Sequence, residues 1–359
     1  MSDVSEYYNH SNSYSYPRFD IIIPSVYGII TLAGGMGNGM VLMVLLRNIR
    51  SHSIPDVYIS NLAIADLLTV LTLPLFSYTY ATGSWIFGLE MCKIMYGLDS
   101  MYQFTGIMIL TVMSIDRYVA IASPVRSKRY RTACKARCIS VCVWFASFLC
   151  SSPLWFYATL YVEPSGVLTC QIMWPNPQKN AFVFLIFGFV AGFLVPLIAI
   201  FFSYLALLMT YSKHRTWRKG ITGQRMASMR RGSRRIAILI ITIVIGFVVC
   251  WLPFYVLNFI TIYLPDTDKG SGSLDYTLLV AYVVSVCLCY FNSCLNPVIY
   301  SFVGSSFRTR LSKAVHCRLP RQKETCFTRS QQSYRSTHVR IVSTRNSRST
   351  NSSVVLSYR

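Results

Sequence analysis

The chain has 359 residues, 53% hydrophobic and 13% charged, where soluble domains carry about 25% charged residues, so an ordinary soluble globule is excluded. Its 34 Lys and Arg against 13 Asp and Glu give a net charge of +21, but the bases are segregated by loop, which excludes a nucleic-acid-binding face. Twelve cysteines are too scattered for a small disulfide scaffold, and an all-α membrane bundle is the class that remains.

Residues 1–20 are rich in Tyr, Ser and Asn and read as a disordered tail. They hold no apolar signal-peptide core, so insertion is expected to rely on the first membrane helix. Asn9-His10-Ser11 is a glycosylation sequon, usable if this end is extracellular. Seven apolar segments follow at about 21–46, 56–81, 92–118, 134–157, 181–211, 236–263 and 276–302, each near the ~20 residues a bilayer requires. They define a seven-transmembrane helix bundle over 21–303, with the seventh segment the most polar. No 20–50-residue period repeats, which excludes a solenoid. In 304–317, Phe307, Leu311 and Val315 alternate with bases and predict an amphipathic helix on the membrane surface, against lipid. Cys317 at its end is a palmitoylation candidate. Residues 318–359 read as a disordered, phosphorylatable tail.

Orientation follows from the loops. The N-terminal tail and alternate loops hold 3 Lys/Arg, and the other set holds 30. The N-terminus is therefore expected outside and the C-terminus in the cytoplasm. The outer side also gathers Asp3, Glu6, Asp20, Glu90, Glu163, Asp266, Asp268 and Asp275, a rim that would steer a cationic ligand.

The third segment organises the rest. Asp99 lies about two turns in, Gln103 shares its face, and Asp116-Arg117-Tyr118 closes the helix. Eighteen residues separate Asp99 from Arg117, roughly 27 Å of rod. A carboxylate at bilayer depth must neutralise or find a partner. With no deep Lys or Arg, a ligand cation would serve, and Tyr290 is within hydrogen-bonding reach from the seventh helix. Asp66, the other deep acid, falls level with Asn38, Asn292, Ser293 and Asn296, a polar cluster that glues helices and is a candidate Na⁺ site. Pro196, Trp251-Leu252-Pro253 and Asn296-Pro297 predict kinks in three helices and a bundle with more than one packing.

Cys92 opens the third helix and Cys170 lies in the 158–180 loop; these are the cysteines on the oxidising side, so a disulfide joins them. Cys134, Cys138 and Cys142 share a stripe without a fourth metal ligand and read as buried thiols. No Ser–His pair, His-Glu-x-x-His or facing Asp dyad occurs in the spans, and all five histidines fall outside them, so enzymatic chemistry is not expected. Without inverted halves or a pore-lining charge ring, a transporter or channel fits poorly.

These motifs resemble the rhodopsin-like, family A G-protein-coupled receptors over about 21–317. The resemblance rests on Gly37-Asn38, Asn61–Asp66, Trp85, Cys92/Cys170, Asp116-Arg117-Tyr118, Trp144, Pro196/Tyr204, Cys250–Pro253 and Asn296–Tyr300. The runs LDSMYQFTG (98–106) and CWLPFYVLNF (250–259) look like somatostatin receptors; SKRYRT (127–132) and CQIMWP (170–175) look like allatostatin-C receptors, with opioid receptors as relatives.

The resemblance implies a plasma-membrane receptor for a cyclic or disulfide-bonded neuropeptide, coupled to an inhibitory Gi/o G protein, with arrestin and receptor kinases acting on the tail. An opioid-like peptide or amine is the second ligand class. Carried over, Asp99 pairs with a ligand amine, and Gln103, Phe254, Tyr255, Asn258 and Tyr290 line the pocket above Trp251. Arg117 holds Asp116 at rest and meets the G protein when active, as Tyr204 and Tyr300 turn inward beside Pro297. Two departures stand out. Gly106 occupies the place of a Ser that helps bind sodium, and Tyr102 replaces a small polar residue. Ser233, Arg234 and Arg235 at the foot of the sixth helix supply no acid for Arg117.

Overall fold

The computed structural model describes residues 18–46, 53–122, 127, 129–217, 223–263, 272–303 and 312. Asn9, Cys317, the surface helix of 304–317 apart from Ser312, and the tail of 318–359 lie outside them. The spans are Phe19–Leu46, Ile54–Thr82, Gly88–Ala122, Ala133–Tyr157, a fifth rod built of Pro177–Phe189, Val190–Leu194 and Val195–Trp217, then Gly223–Tyr263 and Gly272–Val303. All seven are long and apolar enough to cross a membrane.

The rods outrun the apolar segments. The third extends to Gly88 and Ala122, and the sixth begins at Gly223 rather than 236. Hydropathy marks only the lipid-bathed part, while backbone hydrogen bonds continue beyond it. The third span, not the seventh, is the least apolar. It is central, packed on the second, fourth and fifth, and tolerates Ser100, Thr105 and Ser114 because protein surrounds them.

Local chemistry sets the ends. The Ser53 backbone N–H and hydroxyl both donate to Asp56 (3.0 and 2.8 Å) at the start of the second helix. Thr132 caps the fourth, its Oγ1 accepting from the Lys135 N–H at 3.2 Å. In the fifth span Val190–Leu194 forms a π-turn just ahead of Pro196. A widened turn accommodates a proline that can make no backbone bond inside the rod.

Strands β1 (Ala158–Val162) and β2 (Leu168–Ile172) form an antiparallel hairpin pairing Leu160 with Cys170. Its turn is closed by Glu163 and Val167, with Gly166 at φ 84° supplying the left-handed residue. The Cys92–Cys170 disulfide fastens β2 to the third span, and Trp85 N–H donates to Leu168 O at 2.8 Å.

The stripe of Cys134, Cys138 and Cys142 is exposed, which corrects its reading as buried thiols. The buried face of the fourth helix is instead Ala136, Ser140, Val143, Ser147 and Ser151. Small residues allow close approach to the third helix, leaving the cysteines outward.

At Gly97 the third helix lies flat against the Trp155 indole of the fourth, with which an added Cβ would collide. Gly97→Ala must displace that indole and should cost about 1–3 kcal/mol. Thermal unfolding of the purified protein should show a lower midpoint for Gly97→Ala, restored by adding Trp155→Leu; an unchanged midpoint would mean the indole moves freely.

Candidate functional site

Asp99 stands about 10 Å along the third helix from the Cys92 disulfide. Its Oδ2 accepts from Gln103 Nε2 at 2.9 Å and from the Tyr290 hydroxyl at 3.2 Å. The first is an i,i+4 pair on one helix, the face that Gln103 shares with Asp99, and the second crosses to the seventh. Thr72 lies beside the same carboxyl. Its other oxygen, Oδ1, is buried and makes no hydrogen bond.

Aromatic rings enclose this carboxylate. Tyr290 meets Tyr27 edge-on at 5.4 Å and Phe76 at 6.3 Å. Phe76 meets Tyr96 at 6.1 Å, and Tyr27 meets Tyr80 at 6.0 Å. The Tyr96 hydroxyl donates to the Cys170 carbonyl at 3.3 Å, joining the cluster to the hairpin. Carboxylate plus ring faces is the chemistry that receives an organic cation. Sequence reasoning missed Tyr27, Phe76, Tyr80 and Tyr96; the Tyr78-Thr79-Tyr80 run was the available signal.

Trp251 separates two cavities. One is lined by Gln103, Phe104, Ile107, Gly192, Phe247, Trp251 and Tyr255. The other runs from Gln103 and Tyr290 down to Asp66, Asn292, Ser293 and Asn296. Trp251 Nε1 is buried without a hydrogen bond. Tyr255 is tied to the fifth span, its hydroxyl donating to Gly188 O at 3.1 Å. Phe254 packs on Tyr282 at 6.3 Å, and Asn258 Nδ2 donates to the Phe254 carbonyl at 2.7 Å, so these two stand further out.

Asn38, Asp66, Ser293 and Asn296 meet between the first, second and seventh helices. Asn296 Nδ2 donates to Asp66 Oδ2 at 2.8 Å, and Ser293 lies beside the same carboxyl. Asn38 Nδ2 donates to the carbonyls of Ser293 (2.9 Å) and Gly34 (3.1 Å), while its Oδ1 is buried and unpaired. Gly37 comes so near Pro297 that a Cβ would touch the ring at 3.0 Å. For a sodium ion, Asp66 and Ser293 offer oxygens, but Gly106 faces the same cavity with none. The donor set is one hydroxyl short of what the resemblance implied, and a resident ion fits it poorly.

At the far end of the third helix the expected clasp is replaced. Asp116 takes two bonds from Arg131, Nε to Oδ1 at 2.8 Å and Nη2 to Oδ2 at 2.5 Å. In this structure the partner of Asp116 is therefore Arg131, fifteen residues on, and not Arg117. Two parallel bonds from a planar fork outmatch anything a neighbour on one helix can reach. They hold the Arg131 guanidinium above its usual range, so it stays charged. Arg117 is left near Tyr204, which has Ser114 beside it, with buried Tyr58 close to the group; Tyr118 is half-buried. The side chain of Tyr300 is outside the described residues.

Residues 37–300 match the family model described as "7 transmembrane receptor (rhodopsin family)". The chain is 37% identical over 289 residues to somatostatin receptor type 3 of Homo sapiens, covering 80% of this chain and 66% of that receptor, so it spans just under two thirds of that relative's length. It is 35% identical to somatostatin receptor type 5 of Bos taurus, covering 82% and 76%. Against melanin-concentrating hormone receptor 1 of Macaca mulatta it is 33% identical, covering 85% and 83%. A matched family model over most of the chain, seven spans and the disulfide between the third span and β2 agree: this chain is a multi-pass membrane protein of the rhodopsin family of seven-transmembrane receptors, a receptor family rather than an enzyme family, close to the somatostatin group.

Proposed function

We propose that this protein is a peptide receptor of the plasma membrane, N-terminus outside and C-terminus in the cytoplasm. Its ligand is a cationic peptide of the somatostatin or allatostatin-C type, and its partner is a G protein of the Gi/o class. Arrestin and receptor kinases would meet the tail. The observation that carries the ligand class is the Asp99 carboxylate, buried, ringed by tyrosines, with one oxygen unfilled. A lysine ammonium from a ligand supplies the missing donor. The names of the similar receptors support a peptide rather than a small amine.

The mechanism is a population shift between two packings. A ligand on Asp99 presses on Gln103 and Trp251, which border both cavities. Pro253, one half-turn beyond Trp251, and deeper down the Pro297 contact with Gly37 let the sixth and seventh helices move against the rest. At the inner end the change frees Asp116 from Arg131 and lets Arg117 and Tyr204 turn toward a G protein. The Asp66 cluster transmits this motion as a hydrogen-bond core, and no step is assigned to an ion there.

Asp99→Asn keeps the hydrogen bonds but removes the charge. Loss of a buried ion pair costs about 3–5 kcal/mol, so agonist potency should fall at least about 100-fold with cell-surface level unchanged. A panel of disulfide-cyclised and linear peptides, read by Gi activation in cells expressing the wild type and Asp99→Asn, checks both ligand class and residue; equal potency on the two proteins would remove Asp99 from the site.

Arg131→Ala should raise ligand-independent nucleotide exchange. A partly exposed pair is worth about 0.2–1 kcal/mol, a shift of about 1.5- to 5-fold in the active population. Arg131→Lys should fall between. The measurement is guanine-nucleotide exchange in membranes at matched receptor density; no rise in either variant would mean that the clasp does not restrain the resting state.

A further inference from the structure

We infer that Cys134 and Cys138 are S-acylation sites, each carrying a fatty acyl thioester at the inner surface of the membrane. The inference rests on the inward placement of the loop before the fourth helix given above.

Eight cysteines among the described residues are free, and the three that are exposed all lie on one stripe of the fourth helix. The packed side of that helix is fixed by Ala136, 2% exposed, and Ser140, 3% exposed. At about 100° per residue, Cys134 and Cys138 each point about 160° away from Ala136, straight out of the bundle. Val141 (67% exposed) and Phe145 (63% exposed) continue the same outward direction. The thiols therefore stand at the head of a strip of apolar side chains long enough to bed a fatty chain.

Depth separates these two from the third. Arg129, Lys135 and Arg137 are exposed, and Arg137 is the last charged residue of the fourth helix. A charged side chain on the lipid side marks the interface, because crossing into hydrocarbon is costly. Cys134 and Cys138 flank that charge; Cys142, about 6 Å deeper than Cys138, lies in the hydrocarbon. Cytosolic thiols stay reduced, which leaves them nucleophilic and makes a disulfide the poorer fate. The bases also attract an anionic acyl donor to the surface.

The step is a thioester exchange with a long-chain fatty acyl-coenzyme A. The cysteine sulfur bonds to the acyl carbonyl carbon, the carbonyl–sulfur bond to coenzyme A breaks, and coenzyme A leaves as its thiol with the cysteine's proton. Nothing is oxidised or reduced. The acyl chain would anchor the loop that carries Arg131.

The test uses the full chain expressed in cells, with Cys317→Ser and Cys326→Ser removing the tail thiols. Free thiols are blocked, thioesters are cleaved with neutral hydroxylamine, and the released thiols take a polyethylene-glycol maleimide. Two mass steps are expected, one lost in each of Cys134→Ser and Cys138→Ser and both in the double variant. Zero steps, or steps that persist in the double variant, would overturn the proposal. So would a hydroxylamine-resistant dimer that thiol reductant dissolves, which would show a disulfide to a second copy instead. Membrane-impermeant maleimide on intact cells separates the two levels: labelling of Cys134 without permeabilisation would overturn the orientation itself. Labelling only after permeabilisation, with no thioester, would overturn acylation alone.

Discussion

A carboxylate placed among apolar side chains in a bilayer has to be answered by its surroundings. Asp99 is answered only in part: Gln103 and Tyr290 share one oxygen and the other is left bare. The tyrosines around it, the hairpin bonded to Tyr96 and the Trp251 plate beneath it all follow from keeping that oxygen buried yet reachable. Asp56, by contrast, has both the backbone N–H and the hydroxyl of Ser53 on its carboxylate.

The three charged centres divide the labour along one axis. Asp99 keeps one carboxylate oxygen without a hydrogen bond, and Asp66 is held by Asn296 within the bundle. Asp116 is clasped from a loop. Each can change partner without unfolding a helix, since none belongs to the backbone ladder. That is what the proposed population shift requires of groups spaced along roughly 27 Å of rigid rod.

Much of this was legible in the sequence. Length and hydropathy expose membrane helices because lipid leaves backbone groups no other partner. The Asp99–Gln103 bond follows from helical spacing, and the disulfide from which cysteines face an oxidising compartment. The hairpin was not read, although Glu163–Val167 holds both Pro and Gly between two alternating runs. Arg131 escaped notice because its bond to Asp116 depends on how a loop folds back. The cysteine stripe was seen but given the wrong direction: spacing says that residues share a face, and only packing says which way the face points. The serines and alanine of the opposite face were the overlooked signal.

The π-turn at Val190–Leu194 has a consequence for how this chain tolerates change. An extra residue in a helix re-phases everything on one side of it by about 100° relative to the other. Phe187 and Gly188, which meet Phe104 and Tyr255, are thus set independently of Tyr204, which lies near Arg117. Loss of one codon in that stretch would leave both halves helical and apolar yet facing the wrong neighbours, so insertions and deletions there act as mutations of orientation rather than of composition.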